Sequence, residues 1–284
     1  MNTKYLAIAL VVIIVVASAL GYLAVNGTFS AKKPTLIVFA ASSMTNVIAN
    51  MTQAFETANN CKVEVNSASS SALYTQITSG SPCDVFMSAN NKWTNLLNSS
   101  ALVYDNNYYP NFTTNSLCII VAAGNPKNIT SLATLVQPGV KIIVADPSVP
   151  VGEYANDTVY AVAATWGNVS SPLYDTSGAY VNYPANFAKN VVSYEDTDEN
   201  IVGDVSLNIG TADAGIVFYS DWAYGNMTGA QVQFLPIPTS VNTMGTYGIC
   251  IPSESTQIAL SQKFENYWLS AQGQNLLTEF GFGT

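Results

Sequence analysis

The sequence predicts an α/β fold in two successive halves, and three observations carry that prediction. Short apolar runs such as Leu36-Ile37-Val38-Phe39 alternate with longer stretches whose apolar residues recur at helical spacing, the pattern of parallel β-α-β units. Four such runs lead into a short turn that opens a helix: Ser42-Ser43, Ser69-Ser70-Ser71, Pro150-Val151 and Asn200-Ile201. At 284 residues the chain is long enough to bury a large core and to divide into two lobes.

The elements follow in order. After Met-Asn-Thr-Lys comes an apolar run, Tyr5–Val25, long enough to span a bilayer as a helix. Ala17-Ser18-Ala19 offers the alternative of a cleaved signal, and no cysteine follows the run to carry a lipid. We expect an anchor over residues 1–25, a polar linker over 26–33, and an exported remainder. The first strand opens at Thr35 and leads through Ser43, an N-cap candidate, into a helix that faces inward with Val47, Ile48, Met51 and Phe55. Lys62–Val65 is the next strand, feeding a helix with Leu73, Tyr74 and Ile77 that stops at Gly80. Asp84–Ser88 and a helix over 90–97 complete the first series. Leu117–Ala123 and Lys141–Ala145 are strands, and Val151 opens a helix through Thr165. Residues 166–190, rich in Gly, Ser, Pro, Asn and Tyr, read as an irregular loop. Val191–Tyr194 is a strand, followed by a helix carrying Val202, Val205 and Ile209 on one face. Ala214–Tyr219 reads as a strand ending in an aromatic hydroxyl, with late strands at 231–235 and 248–251 and a closing helix pair over 256–277.

Charge narrows the function. The net charge is −9, all nine cations are lysine, and the chain contains neither arginine nor histidine. That excludes a Ser-His-Asp triad, a histidine zinc site and a bidentate guanidinium clamp. No catalytic or metal-ligating set and no cofactor are expected, and an acidic chain with scattered lysines is a poor partner for nucleic acid. Asn-X-Ser/Thr sequons at Asn26, Asn50, Asn98, Asn111, Asn128, Asn156, Asn168 and Asn226 agree with export. The four cysteines, 61, 83, 118 and 250, fit either two disulfides or buried thiols.

Ligands of open α/β sheets bind beyond the carboxyl ends of the strands. Four helix N-termini gathered there would present hydroxyls and backbone N–H groups with no cation, a donor set suited to a small, fully ionised oxyanion. The blander reading of each serine is that it caps its own helix. The blocks VFAASSMTNVI, NSASSSALYTQITSGSPCDVFMSANNKWTNLL, VADPSVPVGEYA and ENIVGDVSL…AGIVFYSDW resemble the molybdate-binding proteins of ABC importers, over roughly residues 35–284.

The resemblance implies a two-lobed periplasmic-binding-protein fold of type II with molybdate or tungstate in the inter-lobe cleft. It implies Ser43 and Ser70 as donors from one lobe, and Val151, Ile201 and Tyr219 as donors from the other. The intervals of 27 residues from Ser43 to Ser70 and 18 from Ile201 to Tyr219 match the family pattern. Ser42 and Val151 stand where the family usually has alanine, and residues 166–190 lengthen the second lobe. LCIIVAA and YGICIP resemble the strands that cross between lobes, which sets one lobe at 34–115 plus 243–284 and the other at 116–242. Paired hinge strands would bring Cys118 to Cys250 and leave Cys61 for Cys83. Relatives that hold the metal six-coordinate add two carboxylates, for which Asp146 and Glu153 are the nearest candidates here, but the VPVGEYA block resembles the tetrahedral-site form. The partner implied is a membrane permease, the location extracytoplasmic and the state monomeric. The alternative within this class is another tetrahedral oxyanion such as sulfate. A surface hydrolase would need the histidine that is missing, and an adhesive protein would not need four matched turns.

Overall fold

The computed structural model describes residues 33–207 and 209–283, so the expected apolar helix over 5–25 lies outside the described residues. Among the described residues no helix is long and apolar enough to cross a membrane.

Two five-stranded sheets organise the described residues. The first half contributes β1 (Thr35–Ala41), α1 (Thr45–Asn59), β2 (Lys62–Ala68), α2 (Ser70–Thr78), β3 (Val85–Ser88), α3 (Asn91–Ser99) and β4 (Val103–Asn115). The chain then passes through β5 (Leu117–Ala122), α4 (Leu132–Leu135), β6 (Ile142–Ala145), α5 (Pro150–Thr165), α6 (Tyr183–Asn190), β7 (Val191–Glu195), α7 (Asp198–Leu207), β8 (Ala214–Phe218), α8 (Tyr219–Thr228) and β9 (Val232–Pro236). It closes with β10 (Gly245–Pro252), α9 (Ile258–Leu269) and α10 (Ala271–Glu279). The first sheet has the order β2-β1-β3-β10-β4 and the second β7-β6-β8-β5-β9. In the first, β1 runs parallel to β2 and β3 while β10 is antiparallel to β3 and β4. In the second, β6 is parallel to β7 and β8 while β5 is antiparallel to β8 and β9. The parallel strands aim their carboxyl ends, and therefore the helix starts that follow, toward one edge of each sheet.

The apolar runs form the buried strands, because β3, β5, β6 and β8 are covered on both faces. Several elements depart from the sequence reading. β4, thirteen residues long, is an edge strand whose Tyr- and Asn-rich sequence shows no apolar run, and Pro110 is tolerated there because an edge has ladder positions that need no N–H. The expected loop over 166–190 ends in α6, docked by Tyr183, which is fully buried and donates from its hydroxyl to Leu132 O at 3.0 Å. Ile209 lies beyond the end of α7 and is 70% exposed, so it does not extend the buried face of Val202 and Val205.

The expected disulfides are corrected. All four cysteines are buried and none is bridged as 61–83 or 118–250. Cys118 lies in β5 of the second sheet and Cys250 in β10 of the first, so the two strands do not pair. Cys61 and Cys83 flank β2 and β3, which are separated by β1. Two strand spacings are roughly 9.6 Å, beyond the ~7 Å Cα separation a disulfide tolerates. The members of each pair also pack into different apolar clusters.

Candidate functional site

The turn after β1 is a single 3-10 turn, Ser42–Met44, ahead of α1. It buries Ser43 and sets its Oγ 2.9 Å from the hydroxyl of Tyr247 in β10. Tyr247 is itself tied down: Asn115 Nδ2, at the end of β4, donates to its hydroxyl at 3.2 Å and to Ser220 Oγ at 2.8 Å. Ser220 N returns a bond to Asn115 Oδ1 at 3.4 Å, which fixes the orientation of the amide. Tyr247 accepts from Asn115, and in its bond with Ser43 either hydroxyl can be the donor.

Ser69 caps α2 by accepting from Ala72 N, and Ser70 follows as the first helical residue, fully buried. Its Oγ accepts from Ala89 N at 3.0 Å, joining the turn after β2 to the turn after β3. With that lone pair engaged, the Ser70 hydroxyl proton is available. The N–H groups of Ser70 and Ser71 have no partner among the described residues, as the first turn of a helix allows.

The third start is α5. Pro150 occupies its first position, where the missing N–H costs nothing. Glu153 N bonds back to Val149 O at 2.9 Å, while Val151 and Gly152 N–H have no partner among the described residues. Gly152 is required: a Cβ there would stand 2.1 Å from Asp146 O, because the helix begins hard against the end of β6.

Ser43, Ser70 and Val151 line one small pocket with Ala89, Asp198 and Phe218. Ser71 Oγ reaches Ser148 O at 3.4 Å and Asn90 Nδ2 donates to Glu153 Oε2 at 3.0 Å, so residues of the two sheets meet beside the pocket. A larger depression, between α1 and α9–α10, lies against helix flanks rather than strand ends.

Two expected residues stand elsewhere. Ile201 is the fourth residue of α7, and its fully buried side chain packs where a Cβ on Gly215 would meet it at 2.4 Å. Tyr219 begins α8 instead of ending β8, and its ring packs on Trp222 and Phe234 at 5.2 and 5.4 Å in a separate pocket near Asn242. The aromatic residue that faces Ser43 and Ser70 is its neighbour, Phe218, which has no hydroxyl.

The two carboxylates that six-coordination would need stand away from the pocket. Asp146 accepts from Ser148 N in its own turn and Glu153 faces Asn90; neither lines the pocket. Asp196 and Asp198 do. Asp198, the first residue of α7, is buried against Asp221 of α8, with a hydrogen bond between the two carboxyls. Burial pushes Asp198 up to about 6 and raises Asp221 as well, so one proton is shared between them. The residues sequence reading missed here are Asp198, Phe218 and Tyr247. Only the first carried a local signal, an acidic residue in a first helical turn, which ordinarily serves the helix dipole.

The family model described as bacterial extracellular solute-binding protein matches residues 36–283. The molybdate-binding protein ModA of Mycobacterium tuberculosis is 30% identical over 250 residues, covering 87% of this chain and 84% of that protein. ModA of Escherichia coli is 30% identical over 166 residues, covering 55% and 63% respectively. Among solved structures, the Azotobacter vinelandii periplasmic molybdate-binding protein superposes with a TM-score of 0.69 at 17% identity, covering 87% of this chain and 98% of that one. The sulfate-binding protein SubI of M. tuberculosis superposes with a TM-score of 0.73 at 17% identity, over 88% and 86%. At that identity the superpositions establish the two-lobed periplasmic-binding-protein fold alone.

Proposed function

The chain belongs to the bacterial extracellular solute-binding protein family, and on that premise we propose that it captures molybdate and delivers it to the permease of an ABC importer. The observation that carries this reading is the donor set. Ser70 has its oxygen occupied by the Ala89 N–H and a hydroxyl proton to spare, Ser43 presents a second hydroxyl, and the helix starts at Ser70 and Val151 add N–H groups without a partner among the described residues. An acceptor-only dianion matches such donors, and backbone dipoles hold it without a buried lysine. Ser43, Ser70 and Val151 are the binding residues of this proposal; Ile201 and Tyr219 lie outside the pocket. Tungstate, equal to molybdate in charge and shape, is expected to enter as well.

A solute-binding protein is not an enzyme class, and its family works outside the cytoplasm. The anchoring of this chain by residues 5–25, its action as a monomer and its recognition by a permease belong to the same proposal. Ser43 and Ser70 follow strands of the first sheet and Val151 a strand of the second, so an ion touching all three favours the closed arrangement of the sheets over an open one. Closure is the signal a permease could read.

Sulfate shares the charge and shape of molybdate, so a melting-temperature series decides between them. Molybdate at about a hundredfold excess over its Kd should stabilise the chain by ~2.7 kcal/mol. A shift with molybdate and tungstate at concentrations where sulfate and phosphate give none supports the reading. A shift with sulfate alone replaces it.

A further inference from the structure

The eight sequons are scattered over the sequence, and the structure sorts them. Chance would distribute such triplets over buried and exposed asparagines alike. Yet Asn50, Asn98, Asn111, Asn128, Asn156, Asn168 and Asn226, the seven sequon asparagines among the described residues, are all exposed. Of the other 18 described asparagines, seven are exposed. Side-chain bonding divides the same way. Half of those others, Asn90, Asn115 and Asn190 among them, donate a hydrogen bond through Nδ2. None of the seven sequon residues does so within the described chain. Asn111 and Asn168 use only Oδ1, accepting from Asn91 Nδ2 at 2.9 Å and from Ser170 N at 3.0 Å. None of the seven lines the pocket of Ser43 and Ser70.

We propose that the exported chain is N-glycosylated at these exposed sequons, with Asn128 and Asn168 the sites that stay open to modification after folding. Both lie outside any helix or strand, and the hydroxyl residues two positions on, Thr130 and Ser170, are exposed. In contrast Thr113 and Thr158 are buried, so Asn111 and Asn156 can be modified only before the chain folds. The donor is a polyprenyl-phosphate-linked oligosaccharide. The asparagine Nδ2 bonds to the sugar C1 as the bond from C1 to the phosphate oxygen breaks; the amide gives up one proton and the lipid phosphate leaves. The glycans would coat the surface and leave the anion pocket clear. The proposal rests on the extracytoplasmic reading, since the transfer takes place beyond the membrane.

The test is peptide mass spectrometry on the full chain isolated from the cells that produce it, beside Thr130→Ala and Ser170→Ala. Both substitutions are on the surface and keep the asparagine. A hexose-containing mass increment on Asn128 or Asn168 that is lost from that site in its own variant supports the proposal. Bare amides at both sites, or an increment that persists in the matching variant, overturn it. Protease added to intact cells separates the two readings. Bare amides on a chain that protease digests in intact cells, or in spheroplasts with a sealed cytoplasmic membrane, refute glycosylation alone, whereas a chain protected in both refutes the extracytoplasmic placement.

Discussion

Asp198→Asn removes one carboxyl of the buried pair while keeping its shape and its capacity to hydrogen-bond Asp221. Burial lifts Asp198 from 3.8 to about 6. Between those values the folded chain holds a proton that the unfolded chain has released, so stability falls as pH rises through that window and stays reduced above it. At 1.36 kcal/mol per unit the loss is ~3 kcal/mol, an upper figure because the proton is shared with Asp221. Asp198→Asn should therefore be more stable than the parent by up to ~3 kcal/mol at pH 8, and the gap should close toward pH 4. Urea unfolding at intervals between pH 4 and pH 8 measures it. The same variant should bind molybdate more tightly at pH 8, because a negative charge beside the anion has been removed. A stability difference that stays constant across the pH range, or a variant weaker than the parent at pH 8, would refute the reasoning.

The other predictions concern single groups. Val151→Pro removes an N–H at a helix position that tolerates proline, so circular dichroism should be unchanged while molybdate affinity falls roughly one to two orders of magnitude. Tyr219→Phe should leave affinity unchanged by titration, since the phenol faces Trp222 and Phe234 rather than the pocket. Glu265 is buried with Oε1 unpartnered among the described residues, and burial raises its carboxyl to about 7. Glu265→Gln should therefore raise the melting temperature at pH 8 and do little at pH 4.5, because the proton retained between 4.5 and 7 is what the parent loses on the way up.

The parts of the site that were legible in the sequence are those with a local cause. Ser43, Ser70 and Val151 each follow an apolar strand and open a helix, so hydrophobic periodicity and first-turn chemistry place them without tertiary information. Tyr219 and Phe218 differ by one residue at a strand-to-helix boundary. Every residue of β8 is buried, so alternation gave no cue to which aromatic faces the cleft. Ile201 is the fourth residue of its helix and is not among the residues that line the pocket. Tyr247 could not be found at all by pattern, because its hydrogen bond to Ser43 spans 204 residues of sequence. The disulfide expectation failed for a topological reason: it treated β5 and β10 as paired strands, and they belong to different sheets.

The central claim is that a serine hydroxyl with its acceptor side already filled donates to a molybdate ion. Ser70→Ala tests it most directly, since it deletes that donor while the neighbouring N–H groups of Ser71 and Val151 remain. Isothermal titration of the parent should show saturable binding of one molybdate per chain, and Ser70→Ala, confirmed as folded, should bind roughly one to two orders of magnitude more weakly. A parent that takes up no molybdate, or a folded Ser70→Ala with unchanged affinity, would contradict the account.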